Sequence, residues 1–163
     1  MTDMIDSLIQ DLSAPDVWAR ITASIALQNA GERAIEPLSA VVADADAPFE
    51  RRWRAAVLLG ESGDPRAIQP LLIARCSDVL DLRQGAIWAL GCVRAPEAYG
   101  RLLATFTDPA EEEQLRFITA AAMTHIDAER TLPLLREALT GVEAQQRAAH
   151  ALLATLAEKE RSG

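Results

Sequence analysis

The chain has 163 residues, half of them apolar but with one Tyr, three Phe and three Trp, and a formal net charge of −8. Alanine and leucine must therefore do the packing, and strong helix formers with few β-branched runs predict an all-helical protein. The acidic balance argues against a nucleic-acid backbone as ligand, because phosphate binding needs clustered Lys and Arg.

Chain order brings an internal repeat into view. Arg20, Arg52, Arg83, Arg116 and Arg147 recur at intervals of 32, 31, 33 and 31 residues. Three residues after each come Ala23, Ala55, Ala86, Thr119 and His150; seven after come Leu27, Leu59, Leu90, Met123 and Ala154, so the pattern fades in the last unit. A period of this length is the signature of a stacked supersecondary unit that buries its apolar face only against its neighbours.

The opening segment, with Met4, Ile5, Leu8, Ile9 and Leu12 at helical spacing, is the first of five outer helices, expected near 3–13, 32–44, 65–77, 96–107 and 128–140. Five inner helices alternate with them near 15–30, 48–62, 79–94, 110–126 and 143–158. The second repeat shows why: Pro48 suits a helix start, Gly63 a helix end, and Asp64-Pro65 a new cap and first turn. Pro37, Pro70 and Pro133 are expected in or near first turns, where the missing N–H costs least. Glu111-Glu112-Glu113 places negative charge at the positive start of the fourth inner helix. No linker interrupts the pattern, so residues 1–163 read as one domain, with Glu160-Arg161-Ser162-Gly163 a loose tail.

The phrase Arg-x-x-Ala-Ala-x-x-Leu-Gly-x-x-Gly-Asp-x-x-Ala-Ile-x-Pro-Leu, complete from Arg52 to Leu71, resembles the short HEAT-like repeat of phycobilin lyases and of many bacterial scaffold proteins. The resemblance implies an α-solenoid of about five two-helix repeats, with the arginine-bearing helices on the concave side. It also implies an arginine ladder that braces adjacent turns against loop acids such as Asp44, Asp78 and Asp81. The paired His-Glu motifs of HEAT-like iron hydroxylases are missing, since neither His125 nor His150 is followed by Glu.

In the inner helices, the residues one and five after each arginine share a face: Ile21 and Ile25, Trp53 and Val57, Gln84 and Trp88, Phe117 and Ala121. The residues three, six, seven and ten after it are also mostly apolar and are expected against the outer helices: Ala55, Leu58, Leu59, Ser62, then Ala86, Ala89, Leu90, Val93. A helix apolar nearly all round is buried on both sides, so a second object should cover the first face. Trp53, Trp88 and Phe117, with Ile21, Ile25 and Val57, form a candidate partner groove, and Arg54 and Glu61 supply its polar rim. The competing use of the same rings is to fill gaps between inner helices. Trp18 is read as packing near the amino-terminal end.

Chemistry is weakly signalled. Asn29, Glu61, Cys92 and His125 lie nine residues after successive arginines, and a Cys92–His125 pair would need close approach and a lowered thiol pKa. That row lacks the ligand set zinc prefers, and no phosphate loop, Gly-x-Ser-x-Gly elbow or His-Glu-x-x-His motif occurs. No catalytic, metal or cofactor residues are assigned. Cys76 and Cys92 make no disulfide framework, there is no run of eighteen apolar residues, and the first residues lack a signal-peptide pattern, so a cytoplasmic protein is expected; a bacterial source is what the resemblance implies. The sequence reads as a non-enzymatic scaffold that holds a protein, a peptide or a second copy of itself. The alternatives are a bilin lyase or chromophore-handling subunit, which the resemblance alone implies, and a Cys/His enzyme.

Overall fold

The computed structural model describes residues 2–162, and every regular element among them is helical. The chain separates into two compact units, Met1–Val93 and Arg94–Gly163.

Unit 1 holds three helix pairs: α1 (Thr2–Asp11) with α2 (Val17–Ala30), α3 (Glu32–Ala43) with α4 (Phe49–Ser62), and α5 (Ile68–Ala74) with α6 (Leu80–Val93). Outer-helix residues Ile5, Ile9, Leu12, Ile35, Leu38, Val42, Leu71 and Leu72 are buried with Ala23, Leu27, Ala55, Leu59, Ala86 and Leu90 of the inner helices, so one continuous apolar seam runs through the stack. The tightest joint is between α4 and α6. A β-carbon at Gly60 would lie 2.7 Å from both Cα and Cβ of Ala89, so the glycine is what lets the two backbones meet.

Unit 2 holds α7 (Tyr99–Thr107) with α8 (Glu113–Ile126), and α9 (Ala128–Ala138) with α10 (Glu143–Ser162). Its core combines Leu102, Phe106, Leu115, Met123, Leu135 and Leu152 with three buried polar residues, Arg116, Thr119 and Thr131. The single Thr131 hydroxyl proton is shared between the carbonyls of Asp127 (2.6 Å) and Met123 (3.1 Å), which leaves its oxygen to accept from the Tyr99 hydroxyl at 3.0 Å. The hydroxyls of Thr131 and Tyr99 are thereby satisfied.

Local chemistry sets the helix ends. Asp16 and Asp127 accept the backbone N–H groups of Ala19 and Arg130, and Asp64 accepts that of Arg66. The Asp64 carboxylate also receives the Arg66 guanidinium, and these bonds hold its pKa down to about 2. Pro65–Ala67 and Pro96–Ala98 wind as 3₁₀ turns before α5 and α7, so those outer helices begin three residues later than their spacing predicts. Pro37 and Pro133 stand sixth in α3 and α9, deeper than a free first-turn position, and each removes one helix bond. The expected loose tail is helix through Ser162, because Ala157-Glu158-Lys159-Glu160-Arg161 are strong helix formers with no breaker among them.

The arginine ladder differs from its expected form. Arg20 donates to the carbonyls of Ala14 (2.7 Å) and Pro15 (2.9 Å), Arg52 doubly to that of Val42, and Arg116 to those of Asp108 and Glu111. Each therefore reaches back to the loop or helix end just before its own helix, where unpaired carbonyls and the negative end of the helix dipole attract a cation. Asp44 is turned to the backbone N–H of Asp46 instead. Arg147 alone of these four pairs with carboxylates, those of Glu113 and Glu143, both at 2.8 Å.

Arg94 closes α6 with φ of +55°, the left-handed conformation that Gly63 takes after α4. A side chain there is strained by about 1–2 kcal/mol, part of which glycine gives back in chain entropy. Arg94→Gly is expected to raise stability by about 0.5–1 kcal/mol, read as a higher urea midpoint with unchanged slope.

Among the described residues no helix is long and apolar enough to cross a membrane.

Candidate functional site

The inner helices of unit 1 carry most of the residues singled out by repeat position. On α2, Ile21 and Ile25 are 42% and 52% exposed. Trp18 is more open still at 73%, so it is not packing at the amino-terminal end. Trp18, Ile21 and Ile25 are spaced i, i+3, i+7 and make one apolar stripe along the outside of α2.

On α4, Trp53 and Val57 are half-buried. The Trp53 indole lies across α6: a β-carbon at Gly85 would be 2.9 Å from its Cδ1 and 3.0 Å from its Nε1. Trp53 is thus a wedge in the α4–α6 joint with part of its ring left open, which is the gap-filling role rather than a free groove wall. On α6, Trp88 is 39% exposed, its ring edge leaning toward Gly60. Ala55, Leu58, Leu59, Ala86, Ala89 and Leu90 are buried as their positions require, whereas Ser62 is exposed and turns its hydroxyl onto the Leu59 carbonyl.

The polar rim is organised. Glu61 is exposed and accepts the Gln28 amide at 2.6 Å, which ties α2 to α4. Arg54 stacks over the Trp53 ring at 5.6 Å. Burial and then the neighbouring Arg20 guanidinium ease its pKa below the ordinary arginine value, with Glu50 opposing. Two shallow hollows flank this arginine, one of about 350 Å³ beside Trp53, Asp81 and Gln84, the other of about 460 Å³ beside Pro15, Arg20 and Glu50.

Phe117 is half-buried on α8 of unit 2. His125 is exposed on the same helix, and Cys92 is half-buried on α6 of unit 1. Burial, then the Glu61 carboxylate, pushes the Cys92 thiol up. A nucleophilic cysteine needs the opposite shift, so the local field opposes the thiolate chemistry that the sequence row suggested. Among the described residues no three His, Cys, Asp or Glu side chains cluster as a metal site.

The sequence profile of HEAT repeats matches residues 5–91, which is nearly all of unit 1. The chain belongs to the HEAT-repeat family. Two solved structures share this HEAT fold at 20% identity over 94% of the chain: human deoxyhypusine hydroxylase in complex with glycerol (TM-score 0.62) and the CpcE–CpcF complex of phycocyanin lyase from Nostoc sp. PCC7120 (TM-score 0.61). The HEAT chain spans less than two thirds of either, 62% and 65% of their lengths. No curated protein matches it in sequence. The two neighbours carry different names and resemble the chain equally, so the shared fold brings no activity with it.

Proposed function

We propose that this HEAT-repeat chain is a non-enzymatic binding module that holds an apolar segment of a protein or peptide partner against the inner-helix face of unit 1. The observation that carries the reading is the set of large apolar side chains left in water on that face: Trp18, Ile21, Ile25 and Trp88. Scattered exposed apolar residues need no explanation, but Ile25 and Trp88 hold the same repeat position on α2 and α6, and Trp18 and Ile21 extend the exposed stripe along α2; exposed apolar surface that recurs in this way marks an interaction site. Burying each fully is worth about 1.5–3 kcal/mol, enough in sum to offset the cost of association only if several are covered together. Arg54 and Glu61 supply orienting polar contacts at the rim, with Trp53 and Val57 as the floor. Phe117 holds the same repeat position in unit 2 and supplies apolar contact there.

The test is recovery of a partner from the source lysate on immobilised chain, comparing wild type with Ile21→Ala/Ile25→Ala. Both residues are exposed, so the melting curve should be unchanged while recovery falls at least about tenfold, the equivalent of 1.4 kcal/mol. Equal recovery by the two proteins would remove the reading.

A further inference from the structure

The larger of the two hollows that flank Arg54, about 460 Å³, is walled by Arg20, Arg54 and Glu50 together with the turn residues Ser13, Ala14 and Pro15. Two guanidinium groups therefore share one hollow, in a chain whose formal net charge is −8. Among the described residues neither of them makes an ion pair. Glu50 lines the same wall, yet its carboxylate meets neither arginine at ion-pair distance.

Both arginines are held in place by other means. Arg20 commits Nη1 to the carbonyls of Ala14 and Pro15, which fixes it against the turn before α2, and its Nη2 and Nε make no hydrogen bond among the described residues. Arg54 makes one long bond of 3.4 Å to the Glu50 carbonyl, and the Trp53 ring at 5.6 Å supports its guanidinium. Both side chains are half-buried. Burial, then the Arg20 charge, disfavours the positive charge on Arg54, and Glu50 offsets only part of this. An anion between the two arginines would relieve their repulsion and take up N–H groups that the fold leaves open.

We propose that the Arg20–Arg54 hollow receives an acidic side chain of the partner, so the segment held on the inner-helix face carries a carboxylate beside its apolar residues. The inference rests on that face as the binding surface and adds the chemistry of what binds there. A carboxylate matches the planar fork of a guanidinium with two N–H bonds. A doubly charged phosphate suits the hollow less well, because Glu50 stands in its wall. Ile21 follows Arg20 on α2, and Trp53 precedes Arg54 on α4, so a segment lying across these two helices meets apolar and cationic contacts together.

Calorimetric titration with two capped peptides tests it: acetyl-Leu-Ser-Glu-Leu-Ser-amide, whose only carboxylate is the Glu side chain, and its twin with Gln in place of Glu. Wild type is expected to bind the Glu peptide roughly tenfold more tightly than the Gln peptide, and Arg54→Gln to lose that preference. Glu50→Gln removes the competing acid and should tighten the Glu peptide roughly threefold; at an exposed position, it decides the matter if Arg54→Gln fails to fold. Equal binding of the two peptides, binding of neither, a preference that survives Arg54→Gln, or acetate binding as tightly as the Glu peptide would each overturn the inference. Ile21→Ala/Ile25→Ala separates it from the reading beneath it. Peptides that bind alike but are both weakened by that variant remove the carboxylate site and uphold the apolar face, whereas a Glu preference with no weakening upholds the carboxylate site and removes the apolar face.

Discussion

Arg116→Ala is expected to destabilise unit 2 by about 3 kcal/mol, more than any surface change in the chain. The Arg116 side chain is 1% exposed, and its two terminal nitrogens make three hydrogen bonds to the carbonyls of Asp108 and Glu111, which hold the loop between α7 and α8. Bonds to a charged donor are worth about 1.5–3 kcal/mol each when a partner is removed, and truncation also leaves a cavity. Solvent can reach part of that loop, and the Arg116 Nε has no hydrogen-bond partner, so the full sum is not expected. Arg116→Met separates the two causes, since it keeps most of the volume and removes only the bonds. Urea unfolding followed by circular dichroism should show the alanine variant below the methionine variant and both below wild type. A loss under about 0.5 kcal/mol for Arg116→Ala would show that the loop does not depend on its arginine.

Gly60→Ala sets two effects against each other. In an exposed helix the substitution would stabilise by about 1 kcal/mol, because glycine is a poor helix residue. Here the new methyl would sit 2.7 Å from the Cα and Cβ of Ala89, and neither a backbone atom nor a β-carbon can swing aside. The α4–α6 joint must widen, Trp53 loses its seat on Gly85, and overpacking of this kind costs about 1–3 kcal/mol. The expected net result is a loss of about 1–2 kcal/mol together with a red shift of Trp53 emission as the wedge lifts. Gly63→Ala, whose added methyl would meet nothing within 4 Å, should leave that emission unchanged, because its strain lies in its own φ of +65° rather than in the joint.

Much of the fold was legible because the repeat is written in residues that cannot be exchanged cheaply. Five arginines placed five inner helices to within three residues at their starts, and the proline and glycine punctuation placed the turns. The parts that were not legible depend on distances between helices. That Trp53 lies on Gly85 follows from how closely α4 approaches α6, which the identity of either residue does not state. The arginine partners were misplaced for a related reason: charge invites pairing with charge, while the carbonyls that Arg20, Arg52 and Arg116 actually meet belong to every residue and leave no mark in the sequence. Trp18 was misread because its repeat position holds Glu50 and Asp81 in the next two units, so register spoke against a site, whereas its helical spacing to Ile21 and Ile25 spoke for one. For a chain with irregular repeats, the face of the individual helix is the better guide.

The most direct test of the inner-helix face is tryptophan emission during titration with a partner purified on the wild-type chain. Trp18 is 73% and Trp88 39% exposed, so both should shift to shorter wavelength as a partner covers them, Trp18 more, and the shift should survive Trp53→Phe but vanish in Trp18→Phe/Trp88→Phe. A shift that persists undiminished in that double variant, or saturating binding with no shift in the wild type, would contradict the assignment of this face as the binding surface.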